Sequence, residues 1–305
     1  MPGEKRIERL APELDAIIST SEPIHDLAEG FGGPQGPAEG PLWWHESGHL
    51  VFSDIHNNRR MKYTPGAGVT LLQEPTNRAN GLTRDLKGRL LACEHDSRRV
   101  TRQELDGDIT VIVNSFQGRQ LNRPNDVVVK SDGCIYFTDP WTSPAAPEQW
   151  DLTFSGVYRV TPDLASMTLL IADFIVPNGL AFSPDESVLY VVESRSAPRT
   201  IHAFDVLDNG RRLGEPRLLI DAGPGTPDGF RVDIHGNLWC GWGMGDAELD
   251  GVRVFTPQGE AIGHIDLPER CANVCFGGRH RNRLFMAASH GLYSLYVNTQ
   301  GVKGG

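Results

Sequence analysis

Six times along the chain a carboxylate or an amide stands directly before a short apolar run that turns at Gly, Asn or Asp into a second one: Glu39, Asn80, Asn125, Asn178, Asp228 and Asn273. The intervals between these positions run from 41 to 53 residues. A unit of roughly 40 to 50 residues holding several strands is the mark of a β-propeller. The turns Ser47-Gly48, Lys87-Gly88, Asp132-Gly133 and His235-Gly236 carry hairpin chemistry between the paired runs. Two further β-rich runs follow in most repeats, as in RRVTRQEL with ITVIVNSF. The pattern predicts an all-β, six-bladed β-propeller with four strands per blade. Blades surround a central channel, so the six polar residues would meet near one axis.

The last repeat begins at Asn273 and has sequence for three strands, NVCFGG, RLFMAAS and GLYSLYVN. Its fourth strand is expected from residues 23–31, PIHDLAEGF, which makes 23–305 the propeller and 1–22 an N-terminal extension. Within that extension Ile7, Leu10, Leu14, Ile17 and Ile18 fall near one helical face, interrupted by Pro12. A short helical cover segment is expected there. The insertion from Trp141 to Ser155 is long enough to cover part of a pocket.

Lys and Arg number 29 against 39 acidic residues, a net charge of -10, so neither nucleic acid nor an anionic membrane is an expected partner. Charged residues at 22% and apolar residues at 39% describe an ordinary folded chain. The opening MPGEKRIERLAPELDAII lacks the apolar core of a signal peptide, and the five cysteines are an odd set. A cytoplasmic location is expected. Cys271-x₃-Cys275 has no second cysteine pair to complete a metal site. Oligomeric state has no signature in the chain.

Two carboxylates and four amides offer oxygen donors without thiolate or imidazole, the set that hard divalent cations such as Ca²⁺ prefer. Glu39 and Asp228 would repel each other at one channel mouth. A divalent cation balances both charges, with amide oxygens of Asn125 and Asn178 and waters completing its ligands. The competing reading is structural, because repeated Asn and Asp also cap strand ends and tie neighbouring blades. A second ring is expected where the second strands end, at Asp54, Glu94, Asp139, Glu193, Trp242 and Ser289, followed by His56, His95, Trp141, Arg195 and His290. Asp139 is the member expected to touch substrate or hold a pocket residue.

These residues resemble the SMP-30/gluconolactonase/regucalcin-like family of six-bladed propellers. The resemblance runs from about Phe31 to Tyr296 through Ala38-Glu39-Gly40-Pro41-Leu42-Trp43, Leu121-Asn122-Arg123-Pro124-Asn125-Asp126, Pro177-Asn178-Gly179-Leu180-Ala181-Phe182 and Pro227-Asp228-Gly229-Phe230. Runs such as Asn80-Gly81-Leu82-Thr83, Cys93-Glu94-His95 and Tyr136-Phe137-Thr138-Asp139-Pro140 are similar to those of bacterial gluconolactonases. The resemblance implies that Glu39, Asn178 and Asp228 bind one divalent ion, Ca²⁺ by expectation, with Zn²⁺, Mg²⁺ and Mn²⁺ as alternatives. It implies that Arg123 contacts substrate and that Asn125 binds metal or substrate.

The expected activity is metal-dependent hydrolysis of a sugar lactone such as gluconolactone to the aldonic acid. A cation would polarise the ester carbonyl, and Asp228 is the candidate general base. In the alternative the cation itself activates the water and Asp228 only holds the ion. Two other readings are a phosphotriesterase-like hydrolase and a non-catalytic Ca²⁺-binding propeller, since fold alone does not determine function.

Overall fold

In the computed structural model, which describes residues 5–141, 150–244 and 246–303, each repeat folds into an antiparallel sheet and six such blades form a β-propeller. The eight residues 142–149 of the long insertion lie outside the described residues. Blades 1 to 6 open with the inner strands Ala38–Trp44, Ala79–Arg84, Val127–Val129, Pro177–Phe182, Phe230–Val232 and Cys271–Gly277. The second strands are His49–Asp54, Leu90–Glu94, Ile135–Asp139, Val188–Glu193, Leu238–Trp242 and Arg283–Ala288. Both layers are covered by neighbouring blades, which is why runs such as LLACE and LWCGW are buried throughout and do not alternate. Outer strands are wet on one side, and Leu71 and Leu72 of Gly68–Gln73 stand exposed.

Both ends of the chain lock onto the last two blades. His25–Glu29 pairs with Gly291–Tyr296 as the fourth strand of blade 6. Trp43 of blade 1 stacks on Phe285 of blade 6 at 5.2 Å, packing the seam between first and last blades. The expected N-terminal helix is instead the strand Arg6–Arg9, which adds to Ala261–Asp266 as a fifth strand of blade 5, followed by one 3₁₀ turn at Pro12–Ala16. Strand pairing satisfies this backbone better than a helix broken by Pro12. Ile7, Leu14, Ile17 and Ile18 are nonetheless buried, packed with residues of blades 5 and 6.

Two local devices aim the repeated polar residues at the axis. A β-bulge interrupts the ladder at Glu39/Leu42, Ala79/Leu82, Pro177/Leu180 and Cys271/Asn273, and a bulge turns a side chain out of its regular direction. The glycine after the polar residue lets the next blade come close. A Cβ at Gly40, whose φ is +53°, would stand 2.3 Å from the Asn80 carbonyl, and one at Gly179 would stand 2.4 Å from that of Asp228.

The ends of the second strands then hold the segments that lead into the axis. Asp54 accepts the N–H of Gly32 at 2.9 Å, Glu94 accepts from Asn77 Nδ2 at 2.9 Å, and Glu193 accepts the N–H of Val176 at 3.1 Å. Asp139 accepts the N–H of Asn122 at 2.8 Å and that of Arg123. In blade 5 the indole of Trp242 fills this place against Gly225. In blade 6 the backbone bond from Ser289 N to Arg270 O, 3.0 Å, does so.

Asp139 is fully buried, and burial pushes its pKa up from 3.8 to about 7 against the opposing pull of the Asn122 and Arg123 amides. The folded chain therefore holds this proton more firmly than the unfolded chain. Its contribution to stability is complete below pH 4 and is lost as pH rises through about 7. Asp139→Asn is expected to gain on the wild type between pH 4 and pH 8 by up to about 4 kcal/mol. Urea unfolding at both pH values measures this, and a constant difference between the two proteins would contradict it.

Candidate active site

At the mouth where the inner strands begin, Glu39, Asn80, Asn125, Asn178 and Asp228 line one cavity of about 180 Å³. Five of the six repeated residues are thus brought together. The sixth, Asn273, lies behind this wall, 1% exposed, and donates Nδ2 to Glu39 Oε2 at 2.9 Å. The amides form a directed chain in which Asn80 Nδ2 donates to Asn125 Oδ1 and Asn125 Nδ2 to Asn178 Oδ1, each at 2.6 Å. Each bond takes up one acceptor site of an amide oxygen, and in Asn125 the Nδ2 of the same side chain passes the chain on.

The carboxylates are crowded. Glu39 is pushed up to about 8, first by burial and then by Asp228 and Asp126, although Asn273 and the Gly40 N–H donate to it. Asp126 is also raised, mainly by burial and partly by Asp228. Arg231, itself 3% exposed, approaches Asp126 at 4.0 Å and offsets part of that cost. Arg270 lines the cavity and forms an ion pair with Asp228 Oδ2.

Another part of the lining is basic, with two imidazoles. Arg123 enters it, and among the described residues no carboxylate stands within ion-pair distance of its guanidinium. Arg123 Nη2 lies 3.1 Å from His95 Nδ1. His95 is pushed down to about 3 by burial, then by Arg123 and His56. His56 is lowered for the same first reason, with Arg78 and Arg123 adding to it. Pro37, Ile55 and Pro140 complete the lining.

Asp139 is not in the wall, so of the two roles expected for it, touching substrate or holding a pocket residue, its position fits the second. As a fully buried group it holds the Arg123 backbone from behind. Asp54, Glu94 and Glu193 likewise serve the loops, and His290 bonds the Phe31 carbonyl through Nδ1 at 3.0 Å, away from the cavity. Trp141 and Arg195 line a separate groove of about 530 Å³. Arg270 was missed by sequence reasoning, although it stands three residues ahead of Asn273, where Asn122 stands ahead of Asn125. That register was the available signal.

Among the described residues no group of three or more His, Cys, Asp or Glu is disposed to hold a metal, and the five cysteines are free and buried. The donors at this mouth are two carboxylates with amide oxygens. That set suits a hard divalent cation, and the raised pKa of Glu39 is the sign of the negative charge such an ion would balance. Two larger cavities, of about 590 and 600 Å³, open at the far mouth between hairpin turns. Neither collects the repeated motif residues. No described helix is long and apolar enough to cross a membrane.

Residues 37–290 match the family model described as the SMP-30/Gluconolactonase/LRE-like region. A gluconolactonase from Zymomonas mobilis is 31% identical, with 97% of this chain and 87% of that protein aligned. The pentonolactonase XacC of Haloferax volcanii is 26% identical over 83% of this chain and 81% of its own. The solved structure of a gluconolactonase from Xanthomonas campestris superposes with a TM-score of 0.85 at 32% identity, covering 97% of this chain and 96% of that one. With a matching propeller, a match across most of its length and the motif residues gathered at one mouth, the chain belongs to the SMP-30/gluconolactonase/LRE-like family.

Proposed function

We propose that this chain is a metal-dependent lactonase that opens the ester of a sugar lactone, gluconolactone being the reference substrate, to the aldonic acid. The observation that carries the reading is the convergence of Glu39, Asp228, Asn125 and Asn178 with Arg123 in one small cavity. The gluconolactonase and pentonolactonase relatives support the substrate class. Glu39 and Asp228 with the amide oxygens of Asn178 and Asn125 would hold one divalent cation, Ca²⁺ by the chemistry of the donors. When bound, it supplies a Lewis acid for the ester carbonyl.

The chain's own groups divide the remaining work. Arg123 and the amides present donors to the ring hydroxyls and carbonyl. Pro37, Ile55 and Pro140 narrow the cavity and exclude bulk water. Asp228, paired with Arg270 through Oδ2, would both hold the cation and take the proton of the attacking water. After ring opening the product is an anion, and the Arg123 guanidinium, with no carboxylate partner among the described residues, is in the same cavity to receive it.

Two expected outcomes test the roles separately. Asp228→Asn, assayed with excess cation so that occupancy is restored, should lose about 10²-fold or more in kcat, the usual scale for a general base. Arg123→Ala should instead raise KM with kcat little changed, as a group that grips ground and transition states alike does. A cation-saturated Asp228→Asn protein with wild-type kcat on its best lactone would remove the base assignment.

The acid–base state of Glu39 tests the cation site without any substrate. Below about pH 8 its carboxyl carries a proton that a cation must displace. Calorimetric affinity for Ca²⁺ should therefore rise with pH, by about tenfold per unit at most, and level off above pH 8. Glu39→Gln should bind more weakly and lose that slope. Equal affinities and slopes in both proteins would exclude Glu39 as a ligand.

A further inference from the structure

We propose that His95 is a positioning residue of this pocket, a cross-blade clamp that holds Arg123 through Nδ1 and Asn125 through Nε2 so that both face the bound lactone. The inference rests on the lactonase reading of the pocket and adds a residue to it. Arg123 Nη2 stands 3.1 Å from His95 Nδ1. A guanidinium can only donate, so Nδ1 must be the unprotonated, accepting nitrogen. The ring proton is then on Nε2. His95 also makes a hydrogen bond with the Asn125 side chain, and with Nδ1 taken that bond runs from Nε2–H to the amide oxygen. Asn80 Nδ2 lies 3.4 Å from Nε2, but it too can only donate, so with the proton on Nε2 it makes no bond there; one of its two hydrogens goes to Asn125 Oδ1, 2.6 Å away.

Both nitrogens of the imidazole are therefore engaged, which leaves His95 no lone pair with which to take a proton from water. Its value is geometric. Arg123 has no carboxylate partner among the described residues, so the imidazole is what restrains its long side chain. The clamp itself is fixed. His95 follows the strand Leu90–Glu94, and Glu94 is held by Asn77, Arg99 and Thr101. A ring on a rigid strand end in blade 2 thus sets two residues of the loop that enters blade 3. A substrate-gripping side chain restrained before binding loses less freedom on binding.

The test has one arm that needs no turnover. Nitrogen-15 spectra of histidine-labelled wild-type chain at neutral pH should show one buried imidazole with proton on Nε2 and a hydrogen-bonded, unprotonated Nδ1. In Arg123→Ala that Nδ1 signal should shift. The second arm is kinetic: His95→Ala should raise KM for the best lactone roughly tenfold with kcat changed less, and His95→Gln, which keeps an acceptor and a donor, should recover part of the loss. The double variant His95→Ala/Arg123→Ala should lose less than the sum of the two single losses, since the contact with Arg123 is already gone in Arg123→Ala. Proton on Nδ1, or additive losses in KM, overturns the clamp. If His95→Ala does not fold, the spectra and His95→Gln decide. The expected spectra with no lactone turned over would leave the clamp standing and remove the lactonase reading, whereas turnover with the wrong tautomer would do the reverse.

Discussion

Three carboxylates, Glu39, Asp126 and Asp228, are buried within electrostatic reach of one another at the channel axis. Each alone would be costly in such a setting, and together they raise one another's cost. Much of the surrounding structure offsets it. Arg270 pairs with Asp228 and Arg231 approaches Asp126, while Asn273 and the Gly40 amide donate to Glu39. A protein that needed only a filled channel would place apolar side chains there, because a buried ion pair seldom stabilises more than the packing it replaces. Concentrated negative charge with incomplete compensation is the property of a site.

Rigidity comes from the layer behind. The second strands are buried between blades, and their terminal carboxylates accept from the segments leading to the axis in four consecutive blades. Asp139, expected to touch substrate or hold a pocket residue, belongs to this supporting layer by the second of those roles, and so do Asp54, Glu94 and Glu193. The structural reading offered for repeated acids is realised in this outer ring, whereas the inner ring gathers at the candidate site. The inner ring varies between carboxylate and amide, and the outer ring repeats one holding function with Asp, Glu or, in blade 5, an indole.

The order of the inner ring follows from bulges and close approach between blades. Amide donors pass from Asn80 to Asn125 to Asn178, each in the next blade, so the orientation of one amide depends on its neighbour. His95 stands at the head of this chain and touches Arg123 on its other side. The basic wall and the oxygen-rich wall are thereby linked through a single neutral ring.

Strand and turn chemistry is local, so the sequence alone determined the six repeats, the hairpins within them and the polar residue that opens each inner strand; the same spacing brought Glu39, Asn125, Asn178 and Asp228 to one mouth. The N-terminal segment escaped because its apolar spacing is compatible with a helix, and only the free edge of Ala261–Asp266 made a strand the better solution. Arg270 escaped because it precedes the repeat position it serves, and the division of labour between Asp139 and the inner ring because both lie at strand ends with similar composition. Tertiary structure decided the partners: Asn273 meets Glu39 across 234 residues of chain, a contact made by closing the ring. Periodicity specifies which face a residue takes, whereas the distance between two charges in different blades depends on the packing of every blade between them.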